Sequence, residues 1–582
     1  MEEEVTKIRQ LRNNEYYCMQ EEQDMLYKRS KQGYNFYDLI SKIINPNNIR
    51  LAFRNIKTNK GSKTKGLSGK NISYIANMKL VFFIKGITNM INNYRPNMIK
   101  QVGIPKGNGK IRYLGIKEPI DKIIEQSIYQ ILEPILTAKF HNNSNGFIKG
   151  RSQKRALAQF TNYIIKRKLY YVIDLDIKGF FDNVNHSKLL KQLWSCGVRD
   201  KNVISLISKM LKAEVFKIGI PNKGTPQGGI LSPLLANLVL NELDWWLESK
   251  SDKGIKFVRY ADDVKILCPS YLIARDMMDK TTKWLKERLK LEVSEEKTKI
   301  INLKRNYSYF LGFKIKLKKH KNKYRIVSHM TEKAINNVSE KIYKQLMNLK
   351  RSSTNKNKCK KELELYNSIV RGVHNYYNKA TLIREDLHDL NRHTNYFIRT
   401  RLKNVLSFSD IKDNITKEVI GKTPKIRGEP ILEIGNINNI PLFCSNEEYN
   451  YFEANSRNNI HKSLGIDNLF VLEMLLKIPD LNESVEFNDN VLSKFCAQLG
   501  KYAYTNELMF DLGNINAIKI DENKPGKYDN IIIVNEKMKN LIRIREVDDI
   551  IEISNLKRGI TKLQLEKINK LRKENSLPLI SY

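Results

Sequence analysis

The sequence predicts an α+β chain, and three observations carry that prediction. Apolar residues recur at helical spacing through the first hundred residues and again beyond residue 320. Between 101 and 320, β-type runs alternate with helical stretches. Carboxylates stand at the ends of two of those runs. Taken in order, residues 1–100 read as helices, with apolar spacing through 37–44 and 80–91 and a basic loop at 59–66. Residues 101–320 hold the β-type runs 170–177 and 257–260, interleaved with helical stretches at 119–136 and 234–247. Lys-rich helices return over 321–405, with 350–361 as a polar connector. A looser basic region spans 406–491, with Arg392, Arg399 and Arg401 leading into it, and a small α/β module spans 492–582. No internal repeat appears at solenoid periods.

The composition bounds the partners. The chain has 582 residues, 102 Lys and Arg against 62 Asp and Glu, and a formal net charge of +40. With 41% apolar and 9% aromatic residues it can build real cores, which excludes wholesale disorder. So large a positive excess calls for an anionic partner, phosphate backbone first and an anionic membrane surface second. No run approaches the ~18 uninterrupted apolar residues of a spanning helix. The apolar stretch at 74–91 is broken by Lys79 and Lys85. The acidic start, Met-Glu-Glu-Glu, fits neither a secretory signal nor a transit peptide. The six cysteines form no CxxC pair, as expected of free thiols in a reducing compartment.

The sharpest local signal is Tyr260-Ala-Asp-Asp263, set between Phe257-Val-Arg and Val264-Lys-Ile-Leu-Cys268. Apolar runs on each side of paired aspartates read as strand–turn–strand. Alone, the pair could be a solvated turn, since Asp is a common turn residue. Upstream, however, Tyr171-Val-Ile-Asp-Leu-Asp176 ends another apolar strand in carboxylates. Asp174 and Asp176 are two apart and share a strand face. Asp in a β-branched strand is locally unfavourable, which marks a candidate site. Bringing Asp176, Asp262 and Asp263 together would demand a divalent cation to offset their repulsion. Hard oxygen donors favour Mg²⁺.

These motifs resemble reverse transcriptases, and among them the proteins encoded by group II introns. The resemblance runs through Ile104-Pro-Lys106-Gly-Asn-Gly-Lys110-Ile-Arg112 and the highly specific Gly224-Thr-Pro-Gln227-Gly-Gly-Ile-Leu-Ser-Pro. It continues through Leu291-Glu-Val-Ser-Glu-Glu-Lys297, Phe310-Leu-Gly-Phe313 and Asn367-Ser-Ile-Val-Arg371-Gly-Val-His374-Asn375-Tyr376-Tyr377. It implies a right-hand polymerase: fingers and a palm with an antiparallel sheet, then a helical thumb and maturase domain. Asp176, Asp262 and Asp263 would be catalytic and, with the backbone carbonyl of Ile177, would hold two Mg²⁺ ions, with Mn²⁺ as a substitute. Lys106 and Arg112 would bind the triphosphate. Phe181 would exclude a ribose 2′-hydroxyl, although alone it also reads as a core Phe. Gln227 would line the nucleotide pocket, and Gly228-Gly229 would let backbone approach nucleic acid. Lys297 would lie beside the site or pair with Glu295 or Glu296. Arg371, His374, Asn375, Tyr376 and Tyr377, with Tyr366, would contact RNA.

The resemblance further implies an RNA template (intron RNA first), a DNA primer or target and dNTPs as partners, with no membrane and with a homodimer left open. A bacterial, cytoplasmic setting near the nucleoid is expected, with organelle encoding as the alternative. Two departures stand out. Gly146-Phe147 is followed by Ile148-Lys-Gly-Arg151-Ser152, where the family carries Arg-Pro. The tail resembles an HNH nuclease but carries Tyr502-Ala-Tyr-Thr-Asn506 and Ala517-Ile518 at the family's Cys and His positions, and no histidine follows His461. A degenerate nuclease shell is the expectation, an unrelated small module its rival. The alternatives for the whole chain are a domesticated reverse transcriptase, retron-like or defensive, and a non-catalytic RNA-binding splicing factor.

Overall fold

The computed structural model describes residues 11–105, 111–412, 419–442, 449–459, 469–477, 479–510, 514–545 and 550–581. Its first helices follow the apolar spacing: α1 (Gln20–Lys31), α2 (Pro46–Lys57) and α3 (Leu80–Asn92). Pro46 opens α2 where its missing N–H is harmless, and the Asn45 side chain accepts from Asn47 N. Ile49, Leu51, Phe53 and Ile56 of α2 are buried against α4 (Pro119–Thr137). Between α3 and α4 in the chain lies a hairpin of β1 (Lys100–Pro105), exposed throughout, and β2 (Ile111–Ile116), half-buried in its second half.

The central sheet has the order β4-β5-β3-β6 and is antiparallel throughout. Its strands are β3 (Tyr171–Asp176), β4 (Lys256–Tyr260), β5 (Asp263–Cys268) and β6 (Lys299–Asn302). Helix α5 (Gln153–Lys166) precedes β3, and α6 (Phe180–Asn183), α7 (His186–Ser195) and α8 (Ser232–Glu248) lie between β3 and β4. The period of two divides the sheet's faces. Ile173, Leu175, Val264 and Ile266 join one core with the N-terminal helices. Val172 and Leu267 join a second core built with β7 (Ser308–Phe310), β8 (Phe313–His320) and β9 (Lys323–Met330).

Three helices complete that second core: α9 (Glu332–Ser352), α10 (Lys356–Tyr377) and α11 (Ile383–Arg401). The polar connector expected over 350–361 shrinks to three residues. Asn355 caps α10 by accepting from Lys358 N, so the lysines from 356 onward are helical despite their charge. The region expected to be loose begins with paired strands β10 (Leu406–Lys412) and β11 (Val419–Ile426).

The boundary expected at 492 falls inside helix α12 (Val485–Ala497). Val485, Phe487, Leu492 and Phe495 are buried in the same core as α2 and α3. Backbone bonds stitch the contact: Leu80 N donates to Glu483 O (3.0 Å) and Val485 N to Met78 O (2.9 Å). Asp489, 3% exposed, accepts from Tyr17 Oη (2.5 Å) and Arg54 Nη1 (2.8 Å) and pairs with Lys57. Beyond α12, β12 (Asn516–Lys519), β13 (Ile531–Val534), α13 (Glu536–Arg543) and α14 (Lys562–Glu574) close a small third core. Among the described residues, no helix is long and apolar enough to cross a membrane.

Candidate active site

On the face shared with the second core, β3 and β5 form three successive rows. Val172 lies opposite Leu267, Asp174 opposite Lys265, and Asp176 opposite Asp263. The face thus passes from apolar core to an ion pair to two facing carboxylates at the strand ends. Asp262 occupies the tip of the β4–β5 hairpin, where Tyr260 pairs with Asp263 across the two-residue turn Ala261-Asp262. Strand, turn and strand fall where the apolar runs predicted them.

That turn is held from beneath. Ala261 has φ +57°, unusual for a residue with a Cβ. Arg259, fully buried, donates to Ala261 O (2.8 Å), to Asn237 Oδ1 (2.9 Å) and through Nε and Nη2 to both Asp244 oxygens (2.7 and 2.5 Å). Asn237 Nδ2 donates to Gly146 O (2.6 Å), and any Cβ on Gly146 would collide with Ala261 N. The Gly-Phe block therefore props up the turn. Arg151 of the same block is buried and donates to His141 O (2.6 Å) and Ser144 O (2.7 Å).

Two lysines face the carboxylates. Lys297 Nζ lies 3.0 Å from Asp176 Oδ2, so its ion pair is with the site itself and not with Glu295 or Glu296. Lys265 Nζ lies 3.1 Å from Asp263 Oδ1. Loss of solvation raises the Asp263 carboxyl above its ordinary value; Lys265 opposes the shift, while Asp174 and Asp262 add to it. Burial pushes Lys265 down, but Asp263 and Asp174 outweigh it and hold the ammonium above its usual value.

Among the described residues, no three His, Cys, Asp or Glu side chains converge as a ready metal cage. The arrangement is more open: Asp176 faces Asp263, with Asp262 beside them and lysine ammonium groups resting on the two facing carboxylates. Mg²⁺ is commonly held by one or two carboxylates plus substrate phosphates, and this donor set fits that kind of site. Ile177 is buried and bridged to Val293.

A cavity of about 320 Å³ is lined by Arg112, Asp182, Thr225 and Gln227. Arg112 Nε donates to Gln227 Oε1 (2.9 Å), and Gln227 Nε2 donates to Asp182 Oδ1 (3.0 Å). Phe181 precedes Asp182, packs edge-on to Phe180 and accepts at its carbonyl from Thr225 N (2.7 Å). Gly228, at φ +103°, leaves room for β2: a Cβ there would sit 2.9 Å from Gly115 O. The close approach expected toward nucleic acid is thus, at Gly228, made to the protein's own strand. Lys106 and Lys110 lie outside the described residues.

Two contributors escaped the sequence reading. Asp182 has no role that its neighbours in sequence suggest, because its link to Gln227 spans 45 residues. Buried His186 bonds through Nε2 to Gly224 O (2.7 Å), which ties the Gln227 segment to α7. A polar residue opening a helix was the only hint of it.

The rings expected to contact RNA also serve in packing, to different degrees. Tyr366 is fully buried. Tyr376 Oη donates to Leu311 O (2.8 Å), and both Tyr376 and Tyr377 pack on Phe313. The Nε2 of His374 bonds to Ile434 O (2.9 Å). Arg371 and Asn375 remain exposed on α10.

Residues 104–315 match the family model for reverse transcriptase (RNA-dependent DNA polymerase). The chain is 28% identical over 442 residues to the group II intron-encoded protein LtrA of Lactococcus lactis subsp. cremoris, covering 60% of this chain and 71% of that one. It is 28% identical over 338 residues to protein YkfC of Escherichia coli (strain K12), covering 51% and 88%. Among solved structures, a chain of a partial Cas6-RT-Cas1–Cas2 complex matches at 24% identity and a TM-score of 0.27, over 43% of this chain and 42% of that one. Residues 104–315 are therefore a reverse transcriptase domain, an RNA-directed DNA polymerase, in a chain homologous to group II intron-encoded proteins.

Proposed function

We propose that this enzyme extends a DNA primer on an RNA template at the Asp176–Asp263 row, and that it binds intron RNA to assist splicing and mobility. The observation that carries the polymerase site is the cross-strand pairing of Asp176 with Asp263, with Asp262 at the adjoining tip. Divalent ions bound there would activate the primer 3′-hydroxyl and stabilise the leaving pyrophosphate. Asp176, Asp262 and Asp263 supply the ligand oxygens, and Lys297, on an exposed stem, yields its place on Asp176. Arg112 takes the triphosphate in place of Gln227, since a guanidinium fork suits phosphate oxygens. Gln227, anchored by Asp182, lines the base and sugar side of the cavity. Phe181, beside Asp182 in the chain, excludes a ribose 2′-hydroxyl in this reading.

In this reading the β1–β2 hairpin and the N-terminal helices are fingers, the central sheet is the palm, and α9 to α11 are the thumb. Arg371 and Asn375, exposed on α10, face RNA, and the basic charge of the chain supplies most of the affinity. Strands β12 and β13 followed by α13 are the shell of an HNH nuclease that has lost its histidines. The test is primer extension on an RNA template with Mg²⁺, comparing the wild type with Asp176→Asn, Asp262→Asn and Asp263→Asn. Each variant is expected to fold, bind template and make no DNA. Near-normal synthesis by Asp262→Asn and Asp263→Asn would refute the site.

A further inference from the structure

The two lysines at the carboxylate row differ in one respect. The Lys297 side chain is 67% exposed and free to swing away, whereas that of Lys265 is 6% exposed and cannot leave. Lys265 Nζ sits 3.1 Å from Asp263 Oδ1 and 3.2 Å from Asp174 Oδ1, and 5.6 Å from the Phe310 ring centroid. Asp174 is fixed in turn by Ser308 Oγ, which donates to its Oδ1 at 2.9 Å from strand β7.

Charge counting gives this arrangement its meaning. Lys265 alone would cancel the charge of Asp263 and spoil it as a cation ligand. Asp174 supplies the missing negative charge, so the Asp174–Lys265 row is neutral and Asp263 keeps its own. Stability does not explain the row. A buried ion pair is often no better than apolar side chains of similar size, and the preceding row on this face is apolar, Val172 opposite Leu267.

We infer that the Asp174–Lys265 pair is a positioning device for Asp263. It binds one carboxylate oxygen, fixes the rotamer and turns the other oxygen toward Asp176 without neutralising the site. The inference rests on the proposed divalent-ion role of the Asp176–Asp263 row. Groups that orient metal ligands commonly change metal affinity or activity when removed.

The informative variant is the double Asp174→Leu/Lys265→Met, because Lys265→Met alone strands a buried carboxylate. Mn²⁺ is titrated into the protein with the free ion followed by EPR, and steady-state extension is measured on an RNA template. The double variant is expected to unfold at or above the wild-type temperature, yet to bind Mn²⁺ roughly 10–100-fold more weakly. Its kcat should fall in parallel, while KM for dNTP, set by the Arg112–Gln227 cavity, stays within about threefold. Lys265→Arg, which keeps the cation, should retain part of both. Mn²⁺ affinity and kcat within about twofold of wild type in the double variant would overturn the inference. Asp263→Asn is the control: wild-type Mn²⁺ affinity in that variant would overturn the ion assignment itself, and this inference with it.

Discussion

Asp489→Asn should loosen the C-terminal region from the N-terminal helices, and the size of the effect follows from the site. The carboxylate accepts from buried Tyr17 and from Arg54 and pairs with Lys57. Burial would raise its pKa, but Lys57, Arg54 and the Tyr17 hydroxyl together hold it down, from an ordinary 3.8 to about 2. That drop corresponds to about 2 kcal/mol of stability at neutral pH. Replacing the charge by an amide also leaves two partly buried cations without their anion, so a loss of about 2–4 kcal/mol is expected. The sign with pH follows from the depressed value. The contribution is complete above the unfolded value near 4 and disappears as pH falls through about 2. Hydrogen exchange of the amides in 485–497 is the assay, compared between wild type and variant at neutral pH and again near pH 3. Wild-type protection should weaken over that range while the variant changes little. Protection within about 0.5 kcal/mol of wild type at neutral pH would refute the reasoning.

Template binding should fall steeply with salt. Neutralising six to ten phosphates implies a loss of roughly 10³ or more between about 50 and 200 mM, measured by filter binding or anisotropy; indifference to salt would mean the +40 charge serves something else. Phe181→Ala should relieve a clash worth roughly 1–3 kcal/mol and raise ribonucleotide incorporation accordingly, read from parallel extensions with rNTPs and dNTPs. Purified protein with its intron RNA should leave both strands of a duplex target uncut by the tail, since residues 462–582 contain no histidine to activate water. Strand cleavage abolished by Asp529→Ala or Asn530→Ala would contradict that.

The carboxylate row was legible because its signal is local. Period-two spacing put Asp174 and Asp176 on one face, and apolar flanks framed Asp262 and Asp263 as a hairpin. The pieces that hold the row were not legible, because each depends on a distant partner. Lys265 reads as an ordinary strand residue until Asp174 appears opposite it, and Gly146 as a loop glycine until Ala261 lies against it. The packing of the Tyr376-Tyr377 pair was hidden for a related reason. Aromatic residues among cations suit nucleic acid and core packing equally, and the packing partners Leu311 and Phe313 lie more than sixty residues upstream. The docking of α12 was invisible altogether, since an amphipathic helix does not announce which surface it covers.

That docking has a consequence for how the chain acquires its shape on the ribosome. Tyr17 finds its carboxylate 472 residues later, which at usual synthesis rates means a wait of roughly 25–95 s. Through that interval the apolar faces of α2 and α3 lack the Val485, Phe487 and Phe495 side chains that cover them. The nascent amino-terminal region is thus exposed to wrong partners while the polymerase sheet is still being translated. A transcript truncated before α12 would yield a protein with its catalytic strands intact and an unsealed flank, prone to aggregation or to capture by chaperones. A separately expressed segment carrying residues 469–582 should rescue such a truncated chain, because the missing surface can be supplied in trans.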